Sequence, residues 1–139
     1  MMTDRTARCP TWLIDLITNH GGSISFYEYM DLVLNDQENG FYSTGILRIG
    51  RDGDFCTSPS LSNDFARLLA IQVVDWFIDL EKAGIDSELF TLVEIGPGEG
   101  TLSRDLIVAI AEIAPSLISK IELILVELNL GMRERQEKV

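Results

Sequence analysis

The sequence predicts an α/β fold, a parallel β–α–β unit preceded by a helical and loop-rich extension. Three observations carry that expectation. Two short apolar runs, Phe90 to Ile95 and Ile121 to Val126, have the length and β-branched content of buried parallel strands. Between them Leu102, Leu106, Ile110 and Ile113 recur at helical spacing and mark one face of a crossover helix. Ahead of both, residues 37 to 59 are punctuated by Gly40, Gly45, Gly50 and Gly53, the pattern of turns and short extended pieces rather than of a long helix.

The remaining elements follow in order. Trp12, Leu13, Leu16 and Ile17 share one helical stripe that His20-Gly21-Gly22 stops, so a short amphipathic helix spans residues 10 to 20. Ser23 or Ser25 caps a second helix carrying Phe26, Tyr29, Met30, Val33 and Leu34, with Glu28 placed to complete a capping box and an end near Asn35. Thr57-Ser58-Pro59 suits a helix entry and not an interior, because Pro59 lacks a donor and restricts Ser58. The longest helix begins at Ser62, repeats Phe65, Leu69, Val73, Trp76, Phe77 and Leu80, and closes at Ala83-Gly84. Met132 to Val139 reads as helical without a closing cap. No internal repeat is apparent.

Length and composition bound the function. A chain of 139 residues with 46% apolar residues supports one modest core. Its 22 acidic and 11 basic residues, net −11, lack the clustered cations of a nucleic-acid footprint, so no nucleic-acid partner is expected. Cys9, Cys56 and the lone His20 are too few for a disulfide framework or a metal cluster, which points to reduced thiols and a cytoplasmic setting. Met1 to Pro10 has no apolar run of the kind a secretory signal needs. Arg67, Gln72, Asp75 and Asp79 interrupt the most apolar stretch and exclude a membrane span there.

The chemistry concentrates in Val93-Glu94-Ile95-Gly96-Pro97-Gly98-Glu99-Gly100-Thr101, where a strand runs into three alternating glycines before a helix. Backbone that must turn tightly and lie against a ligand needs this arrangement, since side chains would occupy the ligand's space. A purely structural αβ turn remains the competing reading. A phosphate-cradling loop would require Lys and Ser or Thr after the last glycine, and Thr101-Leu102 stands there instead. The dinucleotide fingerprint places its third glycine one position later, and Glu94 and Glu99 would oppose a pyrophosphate. S-adenosylmethionine carries a sulfonium and an ammonium, which acidic neighbours stabilise. Glu127, closing the second strand, is then the acid that accepts from the ribose hydroxyls.

The sequence also resembles the MidA-type methyltransferases over nearly its whole length. The resemblance is carried by Gly22, Ile24, Phe26, Tyr29 and Met30, by Gly40-Phe41-Tyr42, and by Ile49-Gly50 with Gly53-Asp54-Phe55 and Thr57-Ser58-Pro59. It continues through Phe65, the Glu94 to Leu102 loop, and Glu127 with Arg133 and Gln136; it departs at Ala66, usually glycine, and at Asn129-Leu130, commonly Ser-Pro. It implies a partial Rossmann-like class I methyltransferase unit, with residues 1–88 as a helical and loop-rich extension that includes a cofactor-covering segment and residues 89–139 as the first, truncated part of the S-adenosylmethionine-binding domain. Family members continue well beyond this length, so the chain is expected to be an N-terminal portion, inactive alone or self-associating through its uncovered sheet.

The resemblance further implies methyl transfer to an arginine of a partner protein, a respiratory complex I subunit in the mitochondrial members, which act in the matrix. It makes Asp54, Thr57 and Ser58 candidate contacts beside Glu94, Gly96, Pro97, Gly98, Gly100, Thr101 and Glu127. The catalytic base stays unassigned. A noncatalytic cofactor-binding or assembly module and a small-molecule methyltransferase are the alternatives. From the residues alone, Tyr29, Tyr42, Trp76 and Phe77 are expected in the core, Cys56 is expected to pack, and Arg48, Arg51 and Arg67 are expected in surface ion pairs.

Overall fold

The computed structural model describes residues 9–85 and 89–136. Helices α1 (Thr11–Asn19), α2 (Phe26–Asn35), the single turn α3 (Ser58–Leu61) and α4 (Asp64–Lys82) precede strand β1 (Phe90–Ile95), helix α5 (Thr101–Ile113), a 3₁₀ segment (Pro115–Lys120), strand β2 (Ile121–Val126) and helix α6 (Leu130–Gln136). The strands pair in parallel, Phe90 opposite Ile121 through Ile95 opposite Val126. Every element of the expected β–α–β unit is present. Met1 to Arg8 and the last three residues of the helix expected to reach Val139 lie outside the described residues.

Local chemistry explains the boundaries. Ser25 caps α2: the Glu28 amide donates to the Ser25 hydroxyl at 3.2 Å, and the Ser25 amide donates to the Glu28 carboxylate at 2.8 Å. The Ser25 hydroxyl also donates to the Glu28 carboxylate at 2.7 Å, and this bond first, with the Ser25 amide second, holds the exposed Glu28 carboxyl below its ordinary pKa. His20 closes α1, as the His-Gly-Gly stop requires, and its ring Nδ1 lies 2.9 Å from the Leu16 carbonyl. Pro59 sits in the first turn of α3, where its missing donor costs nothing. Helix α4 starts at Asp64, two residues after the expected Ser62, whose hydroxyl instead donates to the Asp64 carboxylate.

One face of the sheet is covered. Ala66, Ala70, Val73, Val74 and Phe77 of α4 pack with Leu106, Ala109 and Ile110 of α5, Phe90 of β1 and Leu117, and the Phe77 and Phe90 ring centroids are 4.8 Å apart. The buried stripe of α4 is therefore shifted from the predicted one. Its alanines let α4 approach α5 closely, and larger side chains are displaced to the rim: Phe65 is 43% and Trp76 55% exposed. The core expectation holds for Phe77 but not for Trp76, nor for Tyr29, which is 40% exposed on α2. Cys56 is also exposed, contrary to the packing expectation, because it lies on the loop entering α3.

The other face carries Val93, Ile95, Ile124 and Val126, all substantially exposed. Strands expected to be buried are thus covered on one side by the described residues. Of the three arginines, Arg67 pairs with Glu112 at 2.8 Å, whereas Arg48 and Arg51 make no ion pair among the described residues. No helix among the described residues is long and apolar enough to cross a membrane.

Candidate cofactor site

A cleft of about 690 Å³ opens at the carboxyl ends of the two strands. That size is in the range of small-molecule sites, roughly 300–1,000 Å³. The end of β1 supplies Ile95, Gly96 and Gly98, the end of β2 supplies Val126, Glu127, Leu128 and Asn129, and the extension closes the opposite wall with Tyr42, Leu47, Ile49, Phe55 and Thr57. This is where ligands bind in open parallel sheets, because the loops leaving neighbouring strands diverge there.

Gly96 is the position where glycine is required. Its φ is +69°, and a Cβ built there would meet nothing within 4 Å. The backbone is left-handed and bare on the cleft side, a surface against which a ligand can lie without displacing protein. The Gly96 amide donates to the Val126 carbonyl at 2.9 Å, extending the ladder past β1 and bringing the two strand ends together. The loop then turns through buried Pro97 and reaches Gly100 at φ +80°, which precedes Thr101 at the start of α5.

Apart from Glu94, the predicted residues divide into three groups. Gly96, Gly98, Glu127 and Thr57 line the cleft together. Pro97, Gly100 and Thr101 shape the loop behind it. Asp54 and Ser58 lie outside the lining: the Asp54 carboxylate accepts from the Arg48 amide at 2.9 Å and fixes the turn that returns to Phe55, and Ser58 opens α3. The Ile49 to Phe55 bridge then holds both residues of that turn over the cleft.

Electrostatically, the site differs from the expectation. Glu94 does not line the cleft; it points toward α5 and accepts a hydrogen bond from the hydroxyl of buried Ser103. Glu99 turns the other way and pairs with Arg135 at 2.5 Å. Strand alternation explains Glu94, since Phe90, Leu92 and Glu94 share the helix-covered face. The carboxylate that remains in the cleft is Glu127, positioned by the Asn129 amide, which donates to it at 2.9 Å.

Sequence reasoning missed Leu34, Tyr42, Leu47 and Met132 as wall residues, and it missed Arg135 altogether. The Gly40-Phe41-Tyr42 motif signalled Tyr42. Nothing local signalled the others: Leu34 and Leu47 reach the site through folding of the extension, and Met132 and Arg135 through the packing of α6 against it.

Comparison with known proteins decides the family. The model of a family described as putative S-adenosyl-L-methionine-dependent methyltransferases matches residues 68–139, more than half of the chain. The chain belongs to that family. Among curated relatives, protein arginine methyltransferase NDUFAF7, mitochondrial, of Bos taurus is 38% identical over 116 residues, covering 83% of this chain and 25% of the relative. The Drosophila melanogaster homolog is 44% identical over 87 residues, covering 62% and 18%.

A solved structure from Burkholderia thailandensis, described as a methyl transferase candidate and bound to S-adenosyl-homocysteine, superposes with a TM-score of 0.72 at 33% identity. It covers 91% of this chain and 31% of its own. The chain thus covers between 18% and 31% of the length of these relatives. The α/β, partial Rossmann-like unit of this methyltransferase family is confirmed as the fold.

Proposed function

We propose that this chain forms the S-adenosylmethionine-binding part of a protein arginine methyltransferase. The observation that carries the reading is the meeting of bare Gly96 and Gly98 backbone with the Glu127 carboxylate in one cleft. The apolar walls, Leu47, Ile49, Phe55, Val126 and Met132, suit an adenine ring, and Glu127 suits a ribose diol, because an ionised carboxylate only accepts hydrogen bonds. The solved relative bound to S-adenosyl-homocysteine supports the same ligand.

S-adenosylmethionine, when bound, supplies an electrophilic methyl group on a sulfonium. The chain's own contribution is positional: Gly96 and Gly98 give a surface without side chains, Glu127 orients the sugar, and Tyr42, Phe55 and Thr57 narrow the solvent path. Excluding water and fixing geometry is most of what an in-line displacement needs from its enzyme. Pro97, Gly100 and Thr101 act by setting the loop, Glu94 by tying β1 to α5 through Ser103, and Asp54 and Ser58 by holding the covering segment.

The relatives' names support a protein arginine as acceptor, and we extend the resemblance to a respiratory complex I subunit as its class. The exposed free thiols of Cys9 and Cys56 suit a reducing compartment, cytoplasmic or, as in the named relatives, mitochondrial. Within residues 1–88 the segment from Tyr42 to Thr57 serves as cover, and the strand ends within residues 89–139 serve as floor of the cofactor site. Calorimetric titration with S-adenosylhomocysteine tests the binding, which is expected at one site per chain and is expected to be lost in Glu127→Ala. A folded sample that gives no heat refutes it. Radiolabelled methyl transfer to protein rather than to small metabolites, with the full gene product, tests the acceptor class.

A further inference from the structure

Both walls of the cleft are tied to the end of α6. The Arg135 guanidinium donates to the carbonyls of Gly45 and Leu47 in the extension and to the carboxylate of Glu99 in the glycine loop. Its neighbour Gln136 donates through Nε2 to the Gly98 carbonyl at 2.7 Å. Leu47 and Gly98 are themselves cleft-lining residues, on opposite walls. Leu47 is 2% exposed, so the carbonyl that Arg135 holds belongs to a segment fixed in place by packing.

We propose that Arg135 and Gln136 form a latch that holds the extension closed over the bound cofactor, with Arg135 as its principal positioning residue. The proposal rests on S-adenosylmethionine occupying this cleft. Three features favour a latch over an ordinary surface contact. The acceptors come from two separate stretches of chain, Gly45 to Leu47 and Gly98 to Glu99, and the donors from a third, α6, so two adjacent side chains fix the spacing of the two walls. A planar guanidinium presents several donors in a rigid fork and can serve three acceptors at once, which a lysine ammonium on a flexible stem does less well. The pair with Glu99 is largely shielded, the two side chains being 26% and 28% exposed, so solvent weakens it less than it weakens a surface pair.

The same contacts explain why Glu99 does not face the cleft. Its charge is spent on orienting the latch, leaving Glu127 as the acidic wall residue. With the Arg135 contacts in place Gly98 and Leu47 are held at a fixed spacing on opposite walls, so loosening those contacts weakens the hold of both walls on a seated ligand and shows chiefly in its rate of escape.

Stopped-flow or surface-based kinetics with S-adenosylhomocysteine on the chain provide the test. Arg135→Gln is expected to raise the dissociation rate about tenfold or more with the association rate unchanged, and Arg135→Lys, which keeps the charge, to fall between it and wild type. A merely structural role would lower the number of competent sites and leave the dissociation rate of those sites alone. An unchanged dissociation rate in Arg135→Gln overturns the latch; if that variant does not fold, the same criterion applied to Arg135→Lys decides. Failure of the wild-type chain to bind S-adenosylhomocysteine would instead overturn the cofactor reading on which the latch rests.

Discussion

Replacing Gly131 by alanine tests how tightly α6 and the extension are pressed together. Taken as a helix residue alone, the change should stabilise, because alanine favours the helix by about 1 kcal/mol over glycine. The tertiary setting reverses the sign. A Cβ at position 131 would lie 2.4 Å from the Ser43 carbonyl oxygen, 2.6 Å from the Gly45 amide nitrogen and 2.9 Å from the Gly45 Cα. All three are backbone atoms, which cannot rotate aside as a flexible side chain would.

To reach ordinary contact the two segments must separate by about 1 Å, which breaks the 3.0 Å bond from the Gly131 amide to the Ser43 carbonyl and strains the 2.9 Å bond from the Ser43 hydroxyl to the Asn129 side chain. Lost hydrogen bonding costs about 1 kcal/mol and overpacking about 1–3 kcal/mol. Subtracting the propensity gain leaves a net loss of roughly 1–3 kcal/mol. Urea unfolding of Gly131→Ala against wild type measures it, with Ala111→Gly on the exposed face of α5 as a control that should lose about 1 kcal/mol from propensity alone. A Gly131→Ala protein as stable as wild type, or more so, would show that α6 does not rest on the Ser43 to Gly45 backbone, and the close approach would have to be abandoned.

Other outcomes follow from individual contacts. Glu127→Gln keeps the side chain's shape but removes the charge, and should weaken S-adenosylhomocysteine binding by roughly 10- to 100-fold in calorimetry, the loss of charged hydrogen bonds. Ile110→Ala, at a site with 0% exposure between α5 and α4, should lower unfolding free energy by about 2–5 kcal/mol in denaturant titration. The Glu28 carboxyl is held below its ordinary pKa by Ser25, so its contribution to α2 is present at neutral pH and fades as pH falls through that lowered pKa. Circular dichroism of Glu28→Gln should accordingly lack the part of the wild-type acid transition that this carboxylate causes. Gly96→Ala should cost only about 1–2 kcal/mol of stability, from the left-handed backbone, because no atom lies near the added Cβ. It should nevertheless abolish ligand binding, which calorimetry beside a melting curve would show.

The fold class and the floor of the candidate cleft were legible because they depend on local rules. Apolar runs of strand length, a crossover helix with a regular apolar face and glycines that need positive φ are properties of short stretches, and the structure places β1, α5, β2, Gly96, Gly98 and Glu127 as those stretches imply. The capping box at Ser25 and the stop at His20 were readable for the same reason. Helical spacing alone did not tell which face of α4 is buried. Phe65 and Trp76 repeat as regularly as Ala66 and Ala70, and only the distance of closest approach to α5 selects the small residues.

Charge posed the same difficulty. Sequence order places Glu94 and Glu99 beside the glycines, but strand alternation turns one toward Ser103 and the pairing with Arg135 turns the other away from the cleft. By itself the sequence determined a parallel β–α–β unit, its bare glycine turn and the acid at the end of its second strand, since each follows from backbone geometry over a few residues. Only the tertiary structure decided which carboxylate faces the cleft, which residues of the extension form the opposite wall, and that Arg135 joins Gly45, Leu47 and Glu99. Those outcomes depend on where chain segments separated by as many as 90 positions come to rest against one another.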